Sequence, residues 1–254
     1  MLNAENTELR RVRGADKEAV MGEMIEYPVN GGSIEGYESK PQQGGGPGVV
    51  VIQEWWGLVD HIKDVCDRFA AAGFVALAPD LYHGKTTKSP DEAGKLMMAL
   101  RIDEAEKELS GAVEYLLKHD AVTSKKIGVV GFCMGGALSL YTATKNTNVG
   151  ASVVFYGGHP NVKPDLADLH APVLGLYAEK DVALTSRSKQ QFESKSNPPA
   201  KRVDVVVYSG TDHAFFNDSR PEVYNEKAAA DAWQRTVDFL HKHLGEELVK
   251  HGSA

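Results

Sequence analysis

Apolar residues along this chain follow two rhythms. Short runs such as Val49-Val50-Val51-Ile52 are apolar on both faces, the pattern of a strand inside a parallel sheet covered by helices. Others repeat at helical spacing, as Ile62, Val65 and Phe69 do within 60–72, with Gly73 placed to cap the helix end. The first strands are expected at 23–28 and 33–39, joined through Asn30-Gly31-Gly32, a strong hairpin signal. Further strands are expected at 49–52, 74–78 (stopped by Pro79), 127–131, 152–156, 173–177 and 203–208. Between them, 83–100 reads as a loop with a short helix, while 102–119 and 134–145 read as helices. A long final helix is expected at 221–243, with Pro221 in its first turn and Trp233, Val237 and Leu240 on its face. About eight strands alternating with about six helices predict one mostly parallel central sheet covered on both faces. Residues 1–20 read as a charged N-terminal segment, and 21–254 as a single α/β domain.

Composition narrows the chemistry without naming it. The chain has 254 residues, 28 Lys and Arg against 35 Asp and Glu, and a net charge of −7. That balance disfavours nucleic-acid binding, which depends on neutralising phosphates. No apolar run reaches the ~20 residues of a membrane helix, and the polar start carries no secretory pattern. Two cysteines, Cys66 and Cys133, are too few for a disulfide framework or a Cys-rich metal site. The expectation is therefore no metal, no cofactor, no nucleic-acid or membrane partner, and a monomer in a reducing compartment, the cytoplasm.

In a sheet of this kind ligands bind at the carboxyl ends of the strands. There the sharpest signal is Gly131-Phe132-Cys133-Met134-Gly135-Gly136, directly after one strand and before a helix. This is a G-x-S-x-G turn with cysteine in the serine place. Such a turn is strained, and side chains at 131 or 135 would collide with the neighbouring strand or helix. A sulfur at a helix N-terminus lies near unpaired N–H groups and the positive end of the dipole, which favours a thiolate. The Met134 N–H would serve as one oxyanion donor. Cys66, at an apolar helix position, reads as core packing.

A thiol nucleophile needs a base, and the base needs an orienting acid. After Cys133, Asp181 follows the strand at 173–177 and His213 follows the strand at 203–208. Of nine histidines, His213 alone sits at a strand end in the order nucleophile, acid, base. Glu179 is the rival acid, and Asp181 is favoured because it lies farther out on the loop. Gln53-Glu54-Trp55-Trp56-Gly57 opens onto the same edge. The Trp55 N–H is expected as a second oxyanion donor. Glu54 is read either as an ordinary ion-pair partner or as a carboxylate that faces Cys133 and controls its protonation.

These motifs resemble the dienelactone hydrolase family, the cysteine-dependent branch of the α/β hydrolases. The likeness runs from about Glu23 to Leu244. It rests on the blocks quoted above together with Ala78-Pro79-Asp80-Leu81-Tyr82, Glu179-Lys180-Asp181 and Asp212-His213-Ala214-Phe215. It implies an α/β-hydrolase fold, with Cys133 as nucleophile, Asp181 as acid, His213 as base, and Met134 and Trp55 N–H groups as the oxyanion hole. It also implies that Glu54 holds the resting thiol and releases it on substrate binding. Substrate contacts are expected from Trp56, Tyr82, Lys85 and Phe215. One departure stands out: the two arginines with which the bacterial dienelactone enzymes clamp a substrate carboxylate fall on Gly84 and Asn217 here, and Lys85 supplies a point charge without a bidentate grip. The expected activity is hydrolysis of a small ester or lactone through a cysteine acyl-enzyme. The alternatives are a catalytically silent ligand-binding protein on the same scaffold, or thiol redox sensing, which lacks a nearby resolving cysteine.

Overall fold

The computed structural model describes residues 21–29, 31–193 and 203–245. The charged segment 1–20 and the hairpin residue Asn30 lie outside them. The strands are β1 (Glu23–Val29), β2 (Gly32–Ser39), β3 (Gly48–Ile52), β4 (Val75–Pro79), β5 (Ile127–Phe132), β6 (Val149–Phe155), β7 (Val173–Ala178) and β8 (Val203–Tyr208). The helices are α1 (Asp60–Ala71), α2 (Pro90–Ala99), α3 (Ile102–Leu117), α4 (Met134–Lys145), α5 (Val182–Glu193) and α6 (Glu226–Leu244), with a 3-10 turn at Leu166–Asp168. All eight strands form one sheet in the order β1-β2-β4-β3-β5-β6-β7-β8. From β4 to β8 every pairing is parallel, and the β1–β2 and β2–β4 pairings are antiparallel.

Alternation along the strands sorts two cores. Val49 and Val51 face a core built with Ile62, Val65, Cys66 and Phe69 of α1 and Ala232 and Leu240 of α6. Val50 and Ile52 face the other, with Leu109 and Val113 of α3 and Met134 and Leu138 of α4. Each such side chain, fully buried, contributes about 1.5–3 kcal/mol against exposure. Cys66 is fully buried, as its apolar position implied.

Several expected boundaries move. Pro79 belongs to β4, paired with Gly36 of β2. Strand β6 begins at Val149 rather than 152. The last helix starts at Glu226, capped by the Asn225 side chain, which accepts from the Ala228 N–H at 3.0 Å. Pro221 therefore lies in the preceding turn and does not open the helix. Helix α5, whose sequence Val-Ala-Leu-Thr-Ser-Arg-Ser-Lys-Gln-Gln-Phe-Glu has a weak apolar stripe, was not expected.

Candidate active site

Among the described residues, four other than glycine adopt positive φ: His83 (50°), Cys133 (55°), Tyr156 (39°) and Ala214 (67°). Each follows the C-terminal end of a strand or lies in the loop beyond it, so backbone strain of about 1–3 kcal/mol apiece gathers along one edge of the sheet.

Cys133 is the residue between β5 and α4, the N-cap of that helix. Its N–H donates to the Phe155 carbonyl at 3.0 Å, and its own carbonyl accepts from Gly136, Ala137 and Gly158 at 3.0, 3.3 and 3.1 Å. Those four bonds hold the strained residue in place. The flanking glycines are sterically required. A Cβ on Gly131 would lie 1.9 Å from the Gly135 carbonyl oxygen, and one on Gly135 would lie 2.4 Å from that of Ile52. Ser139, one turn along α4, ties the helix to the sheet through the Val129 and Val153 carbonyls and the Ser152 hydroxyl.

Strands β7 and β8 deliver the partners. Asp181 sits in the turn into α5, and its Oδ2 lies 2.6 Å from His213 Nδ1. The Cys133 thiol is near enough to the same imidazole to act on its charge. Burial works against a charged His213, yet the bond to Asp181 and the influence of the nearby Cys133 and Asp181 charges outweigh it and push its pKa up to about 10. Glu179, the rival acid, faces elsewhere: it accepts from Ser209 Oγ and the Gly210 N–H. Asp212 pairs with Lys180 at 2.9 Å.

Glu54 follows β3 and is 1% exposed. Its Oε2 accepts from Asn217 Nδ2 at 2.7 Å and its Oε1 from the Tyr156 hydroxyl at 3.5 Å. Tyr156 is fully buried, with its ring edge-on to His213 at 5.0 Å between centroids. Burial, with the nearby Glu54 and Cys133, pushes its hydroxyl pKa well up. Neither Tyr156 nor Asn217 stood out as a functional residue in the sequence. The available signal was a tyrosine at a strand end before Gly157-Gly158, and an asparagine four residues past the histidine.

The remaining expected residues divide. Trp55 and Trp56 are half-buried and pack edge to face at 5.0 Å, while the Arg220 guanidinium lies 5.7 Å from the Trp56 ring centroid. Tyr82 is buried, its hydroxyl donating to Met134 Sδ at 3.3 Å. Asp80 fixes that turn by accepting from the Tyr82 and Gly84 N–H groups. Lys85 is exposed. Phe215, expected at the substrate, is fully buried, its ring packed against those of Tyr156 and Tyr208. A cavity of about 540 Å³, lined by Ala137, Gly157, Gly158, His159 and Leu184 among others, adjoins the Cys133 turn through Gly158.

With the geometry in place, comparison with known proteins identifies the family. The sequence pattern of the Dienelactone hydrolase family matches residues 34–244. The chain belongs to the dienelactone hydrolase family. It is similar to Protein usf of Aquifex pyrophilus, 42% identical over 231 residues that cover 88% of this chain and all of that one. It is 37% identical, over the same shares, to an Aquifex aeolicus protein provisionally named a carboxymethylenebutenolidase. Among solved structures, one from Klebsiella pneumoniae subsp. pneumoniae MGH 78578, provisionally named a dienelactone hydrolase, superposes with a TM-score of 0.78 at 28% identity, covering 89% of this chain and 100% of that one. Membership makes the chain an α/β hydrolase of a family acting on ester or lactone bonds. Among the described residues, no helix is long and apolar enough to cross a membrane.

Proposed function

We propose that the chain hydrolyses small carboxylic esters or lactones through a thioester on Cys133. One observation carries the reading: Asp181 Oδ2 lies 2.6 Å from His213 Nδ1 at the C-terminal edge of the sheet, and Cys133, near enough to act on the His213 pKa, caps a helix N-terminus there. The sulfur attacks the carbonyl carbon, and the resulting oxyanion is held by the Met134 and Trp55 N–H groups, each well-placed donor contributing roughly 3–4 kcal/mol. His213, oriented by Asp181, gives a proton to the leaving alkoxide as the C–O bond breaks. Water then attacks the thioester carbonyl while His213 takes its proton, and sulfur departs with the pair of the C–S bond. For a lactone, the released hydroxyl stays tethered to the acyl group, and deacylation gives a single hydroxy acid. A free thiol in this role suits a reducing compartment such as the cytoplasm.

The test is turnover of p-nitrophenyl acetate and of a small lactone by the wild type and by Cys133→Ala, with circular dichroism on both. Loss of turnover in a folded variant is expected. Undiminished turnover would remove Cys133 from the reaction.

A further inference from the structure

The cavity beside the Cys133 turn has no part in the reaction described above. Its volume of about 540 Å³ falls within the range of sites that take small organic molecules. The inner wall is apolar: Leu140 of α4, Val154 of β6 and the ring of Tyr177 of β7 are each 5% exposed or less. Lys163 and Gln190 line it from exposed positions, at the rim. The charge there has one sign. Among the described residues that line the cavity, Lys163 is the one formal charge and no Asp or Glu takes part, in a chain of net charge −7. His159 adds no cation, because its Nε2 donates to the Met97 carbonyl at 3.1 Å while its Nδ1 accepts from the Asn161 N–H at 3.0 Å. One ring nitrogen donating and the other accepting is the pattern of a neutral imidazole, and burial lowers the pKa in the same sense. Asp165, two residues past Lys163, gives its Oδ1 to the Ala167 N–H. The cavity shares a wall with the proposed site: the Gly158 N–H donates to the Cys133 carbonyl at 3.1 Å, and a Cβ on Gly158 would lie 2.5 Å from Leu184 Cδ1.

We propose that this cavity is a second ligand site, separate from the Cys133 site, for an apolar monocarboxylate whose tail lies against Leu140, Val154 and Tyr177 and whose carboxylate pairs with Lys163. The apolar wall favours a hydrocarbon body, because burying it removes that surface from water. The one cation at the rim selects an anionic head, and no lining carboxylate repels it. An ammonium on the same tail would meet Lys163 with no counter-charge, so the site discriminates by repulsion as well as attraction. The proposal stands whether or not Cys133 is the nucleophile.

Isothermal titration calorimetry of the full chain with sodium octanoate at neutral pH tests it without turnover. One octanoate per chain is expected. Hexanoate, shorter by two methylenes, should bind roughly fifteenfold more weakly, at about fourfold per buried methylene. Octylammonium should bind at least about tenfold more weakly than octanoate. Lys163→Glu, at an exposed position and therefore expected to fold, should weaken octanoate about tenfold or more, while Lys163→Arg should retain it. Ala137→Leu sets a larger side chain in the cavity from a half-buried place on α4. It should weaken octanoate and hexanoate alike, with circular dichroism to confirm its fold. Lys118→Glu is the control, since Lys118 lines a different cavity beside Val29, and it should bind octanoate like the wild type. No binding of octanoate up to about 5 mM, octylammonium binding as tightly as octanoate, or a Lys163→Glu protein with wild-type affinity would each overturn the proposal. A loss from Lys118→Glu equal to that from Lys163→Glu would show a response to net charge alone and would overturn it too.

Discussion

Gly135→Ala probes the part of the site where strand and helix meet most closely. The added Cβ would lie 2.4 Å from the Ile52 carbonyl oxygen and 2.5 Å from that of Gln53, both backbone atoms, against an ordinary contact of 3.4 Å or more. Relief requires about 1 Å of separation between the start of α4 and the end of β3. Met134 precedes Gly135 on the helix side, and Trp55 lies two residues past Gln53 on the strand side, so the displacement parts the two proposed oxyanion donors. Overpacking of this kind costs about 1–3 kcal/mol of stability. A misplacement near 1 Å costs about 100-fold in rate. Ester hydrolysis should therefore show kcat reduced about 100-fold with KM little changed, alongside a lower urea midpoint. Gly94→Ala is the control: nothing lies within 4 Å of its added Cβ, and it should leave kcat alone. A folded Gly135→Ala protein with kcat within about twofold of the wild type would refute the oxyanion-hole assignment.

Asp181→Asn should lower kcat/KM about 10³–10⁴-fold, because it removes the anion that orients and supports His213. Glu179→Gln, whose carboxylate serves Ser209 and Gly210 instead, should stay near the wild type; steady-state kinetics on both variants decides which acid serves the base. The His213 pKa, up from an ordinary 6.5 to about 10 in the fold, implies stabilisation by its charged form that is complete below pH 6.5 and fades as pH rises through about 10. The Tm difference between wild type and His213→Gln should accordingly be largest near pH 6 and shrink toward pH 10. A difference that does not change with pH would contradict the cation.

Much of this was legible in the sequence because the physics is local. A run like Val49–Ile52 admits few readings other than a buried strand. Glycines two places either side of Cys133 announce a turn whose backbones touch. The order of strand ends carried Asp181 and His213 to the same edge, and the preference for Asp181 over Glu179 agrees with the 2.6 Å bond to His213. What was hidden is what depends on contacts between distant segments. Glu54 and Asn217 are far apart in the chain, and no spacing rule announces that an asparagine amide pinned by Ser219 will meet a carboxylate after β3. Nor does the place of Phe215 next to the motif histidine reveal that its side chain turns inward, where it is fully buried. Helix α5 lacked a strong apolar stripe, and Pro221 gave a false start for α6, whose real cap is Asn225.

The most direct test of the central claim is to catch the acyl group. The protein would be mixed with a p-nitrophenyl ester, quenched in acid within the first turnover, digested, and its peptides weighed. The account predicts the mass of one acyl group on the peptide containing Cys133, absent from the Cys133→Ala protein. Acylation of a different residue, or unimpaired turnover by Cys133→Ala, would contradict it.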